Sequence, residues 1–329
     1  MIWVQFAASS VLIVVAAMQL AKYGDIIAVR TRMGGMFIGV LLLAGATSLP
    51  ELLTTIGSVV QGVPNLAAGN LFGSNMFNMF VLAILDLAHR RERLLRKAAL
   101  KHALSGSLAV FMIGLAVFFM MADVQTTVLW VGADSLVIIG VYILSVRLIQ
   151  SNPLAAAQPS APVEIPRGTA SLRTGLIGFG LAATGLVIIT PYLVSSSTAI
   201  AEVTGLGTTF VGTTLVALVT SLPELVTTLA ALRIGADDMA IGNLFGSNLF
   251  NMFALGLTDL FYLQGRFLDV IDPAFMLIGM LGLLMTGMGL IGNLARLERR
   301  VLFVEFDALV LLIVYFLGMY FLYAKGIGS

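Results

Sequence analysis

Long apolar stretches recur along the whole length of this 329-residue chain, separated by short polar or charged breaks. A helix that crosses a bilayer needs roughly 20 apolar residues, and lipid-exposed backbone must satisfy its own hydrogen bonds, which favours helices. Ten stretches approach or exceed that length, at about residues 2–21, 34–60, 64–86, 103–121, 127–147, 174–195, 207–232, 238–262, 273–294 and 302–323. We therefore predict an all-α membrane protein with ten transmembrane helices.

The composition excludes a soluble globular protein. Hydrophobic residues make up 59% of the chain and charged residues only 11%, whereas soluble domains are roughly a quarter charged. The net charge is only +1 and no basic tract is interleaved with aromatic residues, which argues against a nucleic-acid partner. Because the chain has no cysteine, disulfides, thiolate metal sites and a cysteine nucleophile are excluded.

The basic residues predict how the chain is oriented in the lipid bilayer. If the amino terminus lies outside, 16 of the 18 Lys and Arg residues fall in cytoplasmic loops, and only Arg266 and Lys325 lie outside. Cytoplasmic loops of membrane proteins are enriched in positive charge, so this distribution supports an even number of spans. We expect an integral multi-pass protein of the plasma (inner) membrane, with both termini extracytoplasmic and a first span that is retained rather than cleaved as a signal peptide.

One sequence motif occurs twice. Thr-Ser-Leu-Pro-Glu-Leu at residues 47–52 recurs at residues 220–225, an offset of 173. The offset continues without a gap, so that Gly-Asn-Leu-Phe-Gly-Ser-Asn at residues 69–75 recurs at residues 242–248. The 34 positions from 47 to 80 contain 21 identities with their counterparts.

The duplication extends over whole halves, because Asp134 matches Asp307 at the same offset. We expect these two aspartates to be helix-end or interhelical hydrogen-bonding groups. We divide the chain into a first five-helix repeat at residues 1–150, a short cytoplasmic linker at 151–173 and a second five-helix repeat at 174–329. Since five is odd, the second copy enters the membrane from the opposite side. Inverted-topology repeats of this kind are typical of transporters that open one central site to either side in turn.

Two glutamates lie well inside the predicted helices. An unpaired carboxylate at mid-membrane costs at least a few kcal/mol and is rarely found without a function. Glu51 and Glu224 have no basic residue in the interior of any predicted span to pair with. This arrangement favours bound cations; a protonated or water-solvated structural pair is the alternative.

Oxygen-bearing side chains accompany each glutamate in the sequence. Thr47 and Ser48 precede Glu51 by four and three residues, so that on a helix their oxygens share a face. Ser74 and Asn78 form a similar pair on the next helix, and the second copy repeats both arrangements. The proline before each glutamate removes a backbone N–H and predicts a kink. Carboxylate, hydroxyl, amide and carbonyl oxygens suit Ca²⁺ or Na⁺ and disfavour zinc or copper.

The charge of the two glutamates predicts a mechanism. When both are ionised they carry a charge of −2, which one Ca²⁺, two or more Na⁺ or two protons would neutralise. An empty site would move an uncompensated charge through a low-dielectric barrier. We therefore predict obligatory exchange, in which the halves switch only when one set of ions or the other is bound.

The doubled motif resembles that of the calcium/cation antiporter superfamily, and within it the sodium/calcium exchanger family. The resemblance rests on residues 45–51 and 69–78 and on their counterparts in the second copy. It implies the family's two α-repeats and its fold. It also implies that Glu51 and Glu224 are the central carboxylates, which bind Ca²⁺ and share Na⁺.

The resemblance also implies further ligands. Asn78 and Asn251 match polar residues at the centre of the site, and some archaeal-type exchangers have an aspartate where Asn251 stands, so the number of Na⁺ ions stays open. The remaining implied ligands are the backbone carbonyls of Thr47, Thr220, Ala44 and Ala217 and, at flanking sodium sites, the side-chain oxygens of Ser48, Ser74, Ser221 and Ser247.

We expect a transporter and not an enzyme, with no catalytic residue and no cofactor, that exchanges Na⁺ for Ca²⁺. Two alternatives within transport stay open: Ca²⁺/H⁺ exchange, because paired carboxylates can take up protons, and K⁺-dependent exchange. The four serines favour sodium, since protons need no such shell of ligands. A cation channel would more naturally use rings of identical groups around an oligomer axis, and a receptor would need a signalling domain that no loop is long enough to provide.

Overall fold

Helices dominate the structure, a computed structural model that describes residues 1–31, 43–88, 99–151, 170–233, 237–295, 300–301 and 304–324. Within these residues, eight helices are long and apolar enough to cross a membrane. The predicted class, an all-α membrane protein, is confirmed. The predicted linker at 151–173 lies almost entirely outside the described residues.

The two halves have a similar order of elements, with additional short helical segments in the second half. The first half consists of α1 (Ile2–Thr31), α2 (Leu43–Thr47), α3 (Leu49–Val60), α4 (Pro64–Ala88), α5 (Ala99–Ala122), β1 (Thr127–Val128), β2 (Val131–Gly132) and α6 (Ala133–Ser151). The second half consists of α7 (Leu172–Thr204), α8 (Gly207–Val211), a π-helical turn (Gly212–Val216), α9 (Ala217–Thr220), α10 (Leu222–Arg233), α11 (Asp237–Thr258), a 3₁₀ turn (Asp259–Phe261), α12 (Phe267–Val270), α13 (Ala274–Ala295), β3 (Arg300–Val301), β4 (Val304–Glu305) and α14 (Phe306–Ala324).

The structural elements repeat at the offset of the sequence duplication. The helices α3 and α10 are 173 residues apart at both ends, and so are α6 and α14. The two hairpins obey the same offset, since Thr127 pairs with Gly132 in the first and Arg300 with Glu305 in the second. The duplicated sequence therefore folds into duplicated structure, well beyond the motif around the glutamates.

The observed helices are longer or more broken than the predicted spans. Because helical hydrogen bonding does not require apolar side chains, α1 continues to Thr31 and α7 to Thr204, about nine or ten residues beyond the apolar stretches. The predicted span at 34–60 has residues 34–42 outside the described part of the chain and is interrupted at Ser48. The predicted span at 238–262 forms α11, whose polar side chains leave it outside the set of eight apolar helices.

Two predicted spans begin with a hairpin and not with a helix. The apolar stretches at 127–147 and 302–323 start with β1–β2 and β3–β4, and the helices begin only at Ala133 and Phe306. Each helix then has an aspartate in its first turn: Asp134 accepts a hydrogen bond from the Ser135 N–H at 2.8 Å, and Asp307 accepts one from the next residue at 3.0 Å. The helix-end role expected for both aspartates agrees with this geometry.

Buried apolar side chains form two clusters that separate one helix pair from the rest of the bundle. The larger cluster joins α3 to α6 with α10 to α14. The smaller cluster is built mainly from α1 and α7, with single residues of α4, α8 and α9 and the π-helical turn. The helix α4 contacts both clusters and is the most enclosed of the eight long apolar helices, which places the duplicated Gly-Ser-Asn segment inside the bundle.

Two glycines of α4 bring the halves into backbone contact. A Cβ atom on Gly69 would lie 2.8 Å from the Thr213 nitrogen in the π-helical turn, and one on Gly73 would collide with the Thr213 carbonyl oxygen. Only glycine permits this approach, since the obstacles are backbone atoms that a side-chain rotation cannot move. The close packing of small residues expected at membrane helix interfaces is therefore found here.

We predict that Gly69→Ala lowers the unfolding temperature of the purified protein by several degrees, because the added methyl group forces α4 away from Thr213. The matched control is Gly140→Ala in α6, where no atom lies within 4 Å of the added Cβ and alanine favours the helix. Thermal unfolding of both variants in detergent measures the difference. Equal unfolding temperatures for the two variants would contradict the close approach.

A buried ion pair holds the hairpin end of the first half to the second half. Arg266 is only 6% exposed, and its guanidinium donates to the Asp134 carboxylate at 2.8 Å and lies 3.6 Å from the exposed Asp123. Asp259 supports the same junction by accepting the N–H groups of Gly132 at 2.7 Å and Phe267 at 2.6 Å. Removing one partner of a buried pair leaves an uncompensated charge and costs about 3–5 kcal/mol.

We therefore expect Asp134→Asn to lower the unfolding temperature clearly and Asp123→Asn to change it little. Each variant removes one negatively charged partner of the same arginine, Arg266. The Asp123 pair is exposed, and an exposed ion pair contributes at most about 1 kcal/mol. Thermal unfolding in detergent compares them directly. A loss of stability as large for Asp123→Asn as for Asp134→Asn would show that burial does not set the strength of this junction.

Candidate functional site

Each glutamate lies in the first turn of a helix that begins at a break. Ser48 separates α2 from α3 with φ −87° and ψ 7°, and Ser221 separates α9 from α10 with φ −87° and ψ 2°. Pro50 is tolerated just after the break because first-turn N–H groups have no helical partner. The breaks agree with the kinks predicted from the prolines, and they place Glu51 at the positive end of a helix, where the helix dipole stabilises negative charge.

The two glutamates are joined by hydrogen bonds that cross between the halves. The Ser48 hydroxyl donates to Glu224 Oε1 at 2.7 Å, and the Ser221 hydroxyl donates to Glu51 Oε1 at 3.0 Å. Each serine therefore lies three residues before one glutamate and binds the other. The second oxygen, Oε2, of both carboxylates has no hydrogen-bond partner in the described residues. We call this buried constellation around Glu51 and Glu224 the glutamate site.

The two serines of the Gly-Ser-Asn segments differ in their contacts. Ser247 donates to Glu224 Oε1 at 3.4 Å, so its hydroxyl belongs to the glutamate site. The Ser74 hydroxyl is fully buried and has no partner among the described residues. It therefore has the capacity to bind a ligand that the protein itself does not supply.

The two threonines of the motif bind asparagines of the opposite half. Thr220 donates to Asn70 Oδ1 at 2.8 Å, and Thr47 lies 3.3 Å from Asn243 Oδ1. Asn70 in turn donates to the Glu51 backbone carbonyl at 3.0 Å, which ties α4 to the helix that carries the glutamate. These bonds fix the backbone around the glutamate site from both halves.

The backbone carbonyls of Ala44 and Ala217 are already hydrogen bonded. The Ala44 carbonyl accepts the Ser48 N–H at 2.9 Å and the Thr47 hydroxyl at 3.2 Å. The Ala217 carbonyl accepts the Ser221 N–H at 3.0 Å and lies 3.3 Å from the Thr220 hydroxyl, whose single hydrogen is donated to Asn70. Because a carbonyl oxygen has two lone pairs, each carbonyl can still bind an ion beside the hydrogen bond that it accepts from the serine N–H.

Asn78 and Asn251 present unused oxygens beside these groups. Each follows a serine of the Gly-Ser-Asn segment by four residues, so both side chains project from the same helix faces as Ser74 and Ser247. The side-chain oxygens of both asparagines are buried and have no hydrogen-bond partner in the described residues. Unpartnered buried acceptors are costly, which favours a bound cation at this position.

The candidate residues form a buried site rich in oxygen and poor in positive charge. All twelve are at most 1% exposed, and within the described residues neither glutamate takes part in a salt bridge. No group of three or more histidines and acidic residues is found in the part of the chain that the structure describes, so any cation here would rely on two carboxylates supplemented by hydroxyl, amide and carbonyl oxygens. Such ligands suit hard cations.

The sequence interpretation assigned no role to several polar residues that the structure places around the site. Asn70 and Asn243 bind the threonines, and Asn75 and Asn248 bind the central asparagines. All four recur at the duplication offset within the motif, and that recurrence was a usable sign of their importance. Thr286, which binds Asn248 at 3.2 Å, has no such sign because its counterpart is an isoleucine.

Comparison of the sequence with those of known proteins identifies relatives, among them YrbG and MaX1. The inner membrane protein YrbG of Escherichia coli is 28% identical over 237 residues, which cover 68% of this chain and 69% of YrbG. The sodium/calcium exchanger MaX1 of Methanosarcina acetivorans is 49% identical over 83 residues, which cover 25% of this chain and 24% of MaX1. The shorter match therefore has the higher identity.

A solved structure has the same fold. The sodium-calcium exchanger NCX_Mj superposes with a TM-score of 0.60 at 20% sequence identity, covering 97% of this chain and 99% of that one. The family profile described as sodium/calcium exchanger protein matches residues 1–149 and 174–324, nearly the whole chain in two segments. The chain therefore belongs to the sodium/calcium exchanger protein family.

Proposed function

We propose that this protein is a secondary active antiporter that exchanges Na⁺ for Ca²⁺ across the membrane, with the cations bound at the glutamate site. The observation that carries the proposal is the pair of crossed hydrogen bonds, Ser48 to Glu224 and Ser221 to Glu51. They bring one carboxylate from each half into a single buried site whose second carboxylate oxygens are unpartnered. The ligands are the twelve residues predicted from the sequence.

The charge of the glutamate site supports obligatory exchange. Two ionised carboxylates without a basic partner attract cations, and their attraction for a cation is strong because the surroundings have a low dielectric constant. One Ca²⁺ or at least two Na⁺ would neutralise the pair, whereas the empty site would have to cross the membrane with two uncompensated charges. The protein would then switch only when loaded with one ion set or the other.

Duplication of the fold supports alternating access. We propose ten membrane spans, in which α2 with α3 forms the second span and α11 the eighth, and two inverted five-helix repeats at residues 1–150 and 174–329. Two equivalent halves that meet at one site can exchange conformations and open that site to either side. We also propose that both termini lie outside. We further propose that the protein resides in the inner membrane, because its relative YrbG is an inner membrane protein.

Sodium is favoured over protons and potassium as the counter-ion. The names of the family and of MaX1 both specify sodium and calcium. The buried hydroxyls of Ser48, Ser74, Ser221 and Ser247 form a shell of oxygen ligands, which Na⁺ requires and a proton does not. A Ca²⁺/H⁺ exchanger needs only the two carboxylates.

We predict that an outwardly directed Na⁺ gradient drives ⁴⁵Ca²⁺ uptake into sealed proteoliposomes. The control vesicles contain K⁺ in place of Na⁺, and a second set has only a pH gradient. Uptake should be fast with internal Na⁺ and near background in both controls, because the sites must return loaded. Uptake driven by the pH gradient alone would show proton exchange, and uptake without any counter-ion would show a channel.

We predict further that Glu51→Gln and Glu224→Gln each weaken Ca²⁺ binding more than tenfold and abolish exchange. Each substitution keeps the shape of the side chain but removes half the negative charge, and a tenfold loss corresponds to about 1.4 kcal/mol. The matched control is Glu202→Gln in α7, where the side chain is exposed. Normal exchange by both site variants would remove the glutamates from the ion pathway.

A further inference from the structure

Four buried asparagines form a crossed pair of hydrogen bonds next to the glutamate site. Asn75 and Asn78 lie three residues apart on α4, and Asn248 and Asn251 lie three residues apart on α11. Asn78 Nδ2 donates to Asn248 Oδ1 at 3.0 Å, and Asn251 Nδ2 donates to Asn75 Oδ1 at 3.1 Å. Each central asparagine is therefore held through its amide nitrogen by an asparagine of the other half.

The orientation of the Asn248 amide is set by a carbonyl oxygen, which can only accept, and by a hydroxyl whose hydrogen is donated elsewhere. Its nitrogen lies 3.3 Å from the backbone carbonyl oxygen of Asn75, which has no hydrogen to donate. It also lies 3.2 Å from the Thr286 hydroxyl, whose own hydrogen is donated to the Gly282 carbonyl at 2.7 Å. If the Asn248 amide turned over, its oxygen would face the Asn75 carbonyl oxygen, and the Thr286 hydroxyl could bind it only by giving up its hydrogen bond to Gly282.

The orientation of the Asn248 amide determines the orientation of the Asn78 amide. Because the Asn248 nitrogen faces Thr286, its oxygen faces Asn78, and only the amide nitrogen of Asn78 can bind that oxygen. The Asn78 oxygen is thereby turned to the side on which none of the described residues binds it. In the opposite orientation an N–H group with partial positive charge would occupy the place of that oxygen and would repel a cation.

We propose that Asn248, anchored by Thr286, is a positioning residue that keeps the side-chain oxygen of Asn78 available to the transported cation. This inference rests on the proposed function, in which Asn78 is a ligand. Asn248 and Thr286 do not themselves touch the ion. Their effect is exerted through the hydrogen bond to Asn78.

The anchor exists in only one of the two halves. The counterpart of Thr286 at the duplication offset is Ile113, which has no hydroxyl. In the described residues, the side-chain nitrogen of Asn75, the counterpart of Asn248, has no hydrogen-bond partner. The orientation of Asn251 is therefore not anchored in the same way, and the role of Thr286 is specific to Asn78.

The first test replaces Thr286 by valine, which keeps the shape of the side chain but removes the acceptor, and by serine, which restores the hydroxyl. The dissociation constant for ⁴⁵Ca²⁺ of the full-length protein in detergent should rise about fivefold in Thr286→Val, the effect of one lost neutral hydrogen bond. Thr286→Ser should bind like the unchanged protein. In proteoliposomes, the half-saturating Ca²⁺ concentration should rise while the maximal exchange rate stays the same. Unchanged affinity in Thr286→Val overturns the proposal.

The second test separates positioning from a general loss of packing. Thr286→Val is combined with Asn78→Ala and, as the matched control, with Asn251→Ala, and binding is measured up to millimolar Ca²⁺. The valine should have no further effect once Asn78 is removed and its full effect when Asn251 is removed. An equal effect in both backgrounds overturns the proposal.

The glutamine variants of the glutamate site keep the two hypotheses distinguishable. If Glu51→Gln and Glu224→Gln exchange Ca²⁺ normally, the proposed function fails whatever Thr286→Val does. If they lose exchange and Thr286→Val binds Ca²⁺ with unchanged affinity, only the positioning role fails.

Discussion

The structure depends on placing two carboxylates inside a membrane-spanning bundle without a basic residue beside them. Both side chains are buried and, among the described residues, no arginine or lysine pairs with either glutamate. The protein compensates with weaker positive groups: the start of a helix at each glutamate and a serine hydroxyl from the opposite half. These donors satisfy only part of each carboxylate. The unpartnered carboxylate oxygens support the proposal that a cation binds between the two glutamates.

The crossed hydrogen bonds require the backbones of the two halves to lie unusually close. A serine hydroxyl reaches only a short distance from its own backbone, so the glutamate of the other half must come to it. The contact of Gly69 and Gly73 with the π-helical turn provides this closeness on one side of the site. Side chains at those positions would separate the halves and lengthen the bonds from Ser48 and Ser221, even though neither glycine belongs to the glutamate site.

The sequence predicted those features that depend on local chemistry. The apolar stretches indicated the class, the duplicated motif and its resemblance to a known family indicated the twelve candidate residues, and the prolines indicated the breaks at Ser48 and Ser221. The helix ends were less predictable from the sequence. An apolar stretch can end while helical hydrogen bonding continues into more polar residues, as it does in α1 and α7. The hairpins before α6 and α14 were missed since their residues continue the apolar pattern. Contacts across the halves could not be derived at all, because residue spacing describes one helix at a time.

The departure from symmetry at Thr286 shows how a duplicated fold can hold inequivalent ligands. Duplication supplies the same donors and acceptors twice, so Asn78 and Asn251 have the same polar neighbours within the motif. A difference between them must come from helices outside the motif, and α13 supplies it with a hydroxyl where α5 has the apolar Ile113. One central amide is consequently held by a chain of directed hydrogen bonds that ends at the Gly282 carbonyl, while the other lacks such an anchor among the described residues. Under the proposed function, such a site combines one amide oxygen of fixed orientation with one that can reorient, which suits the alternate binding of ions that differ in charge and number.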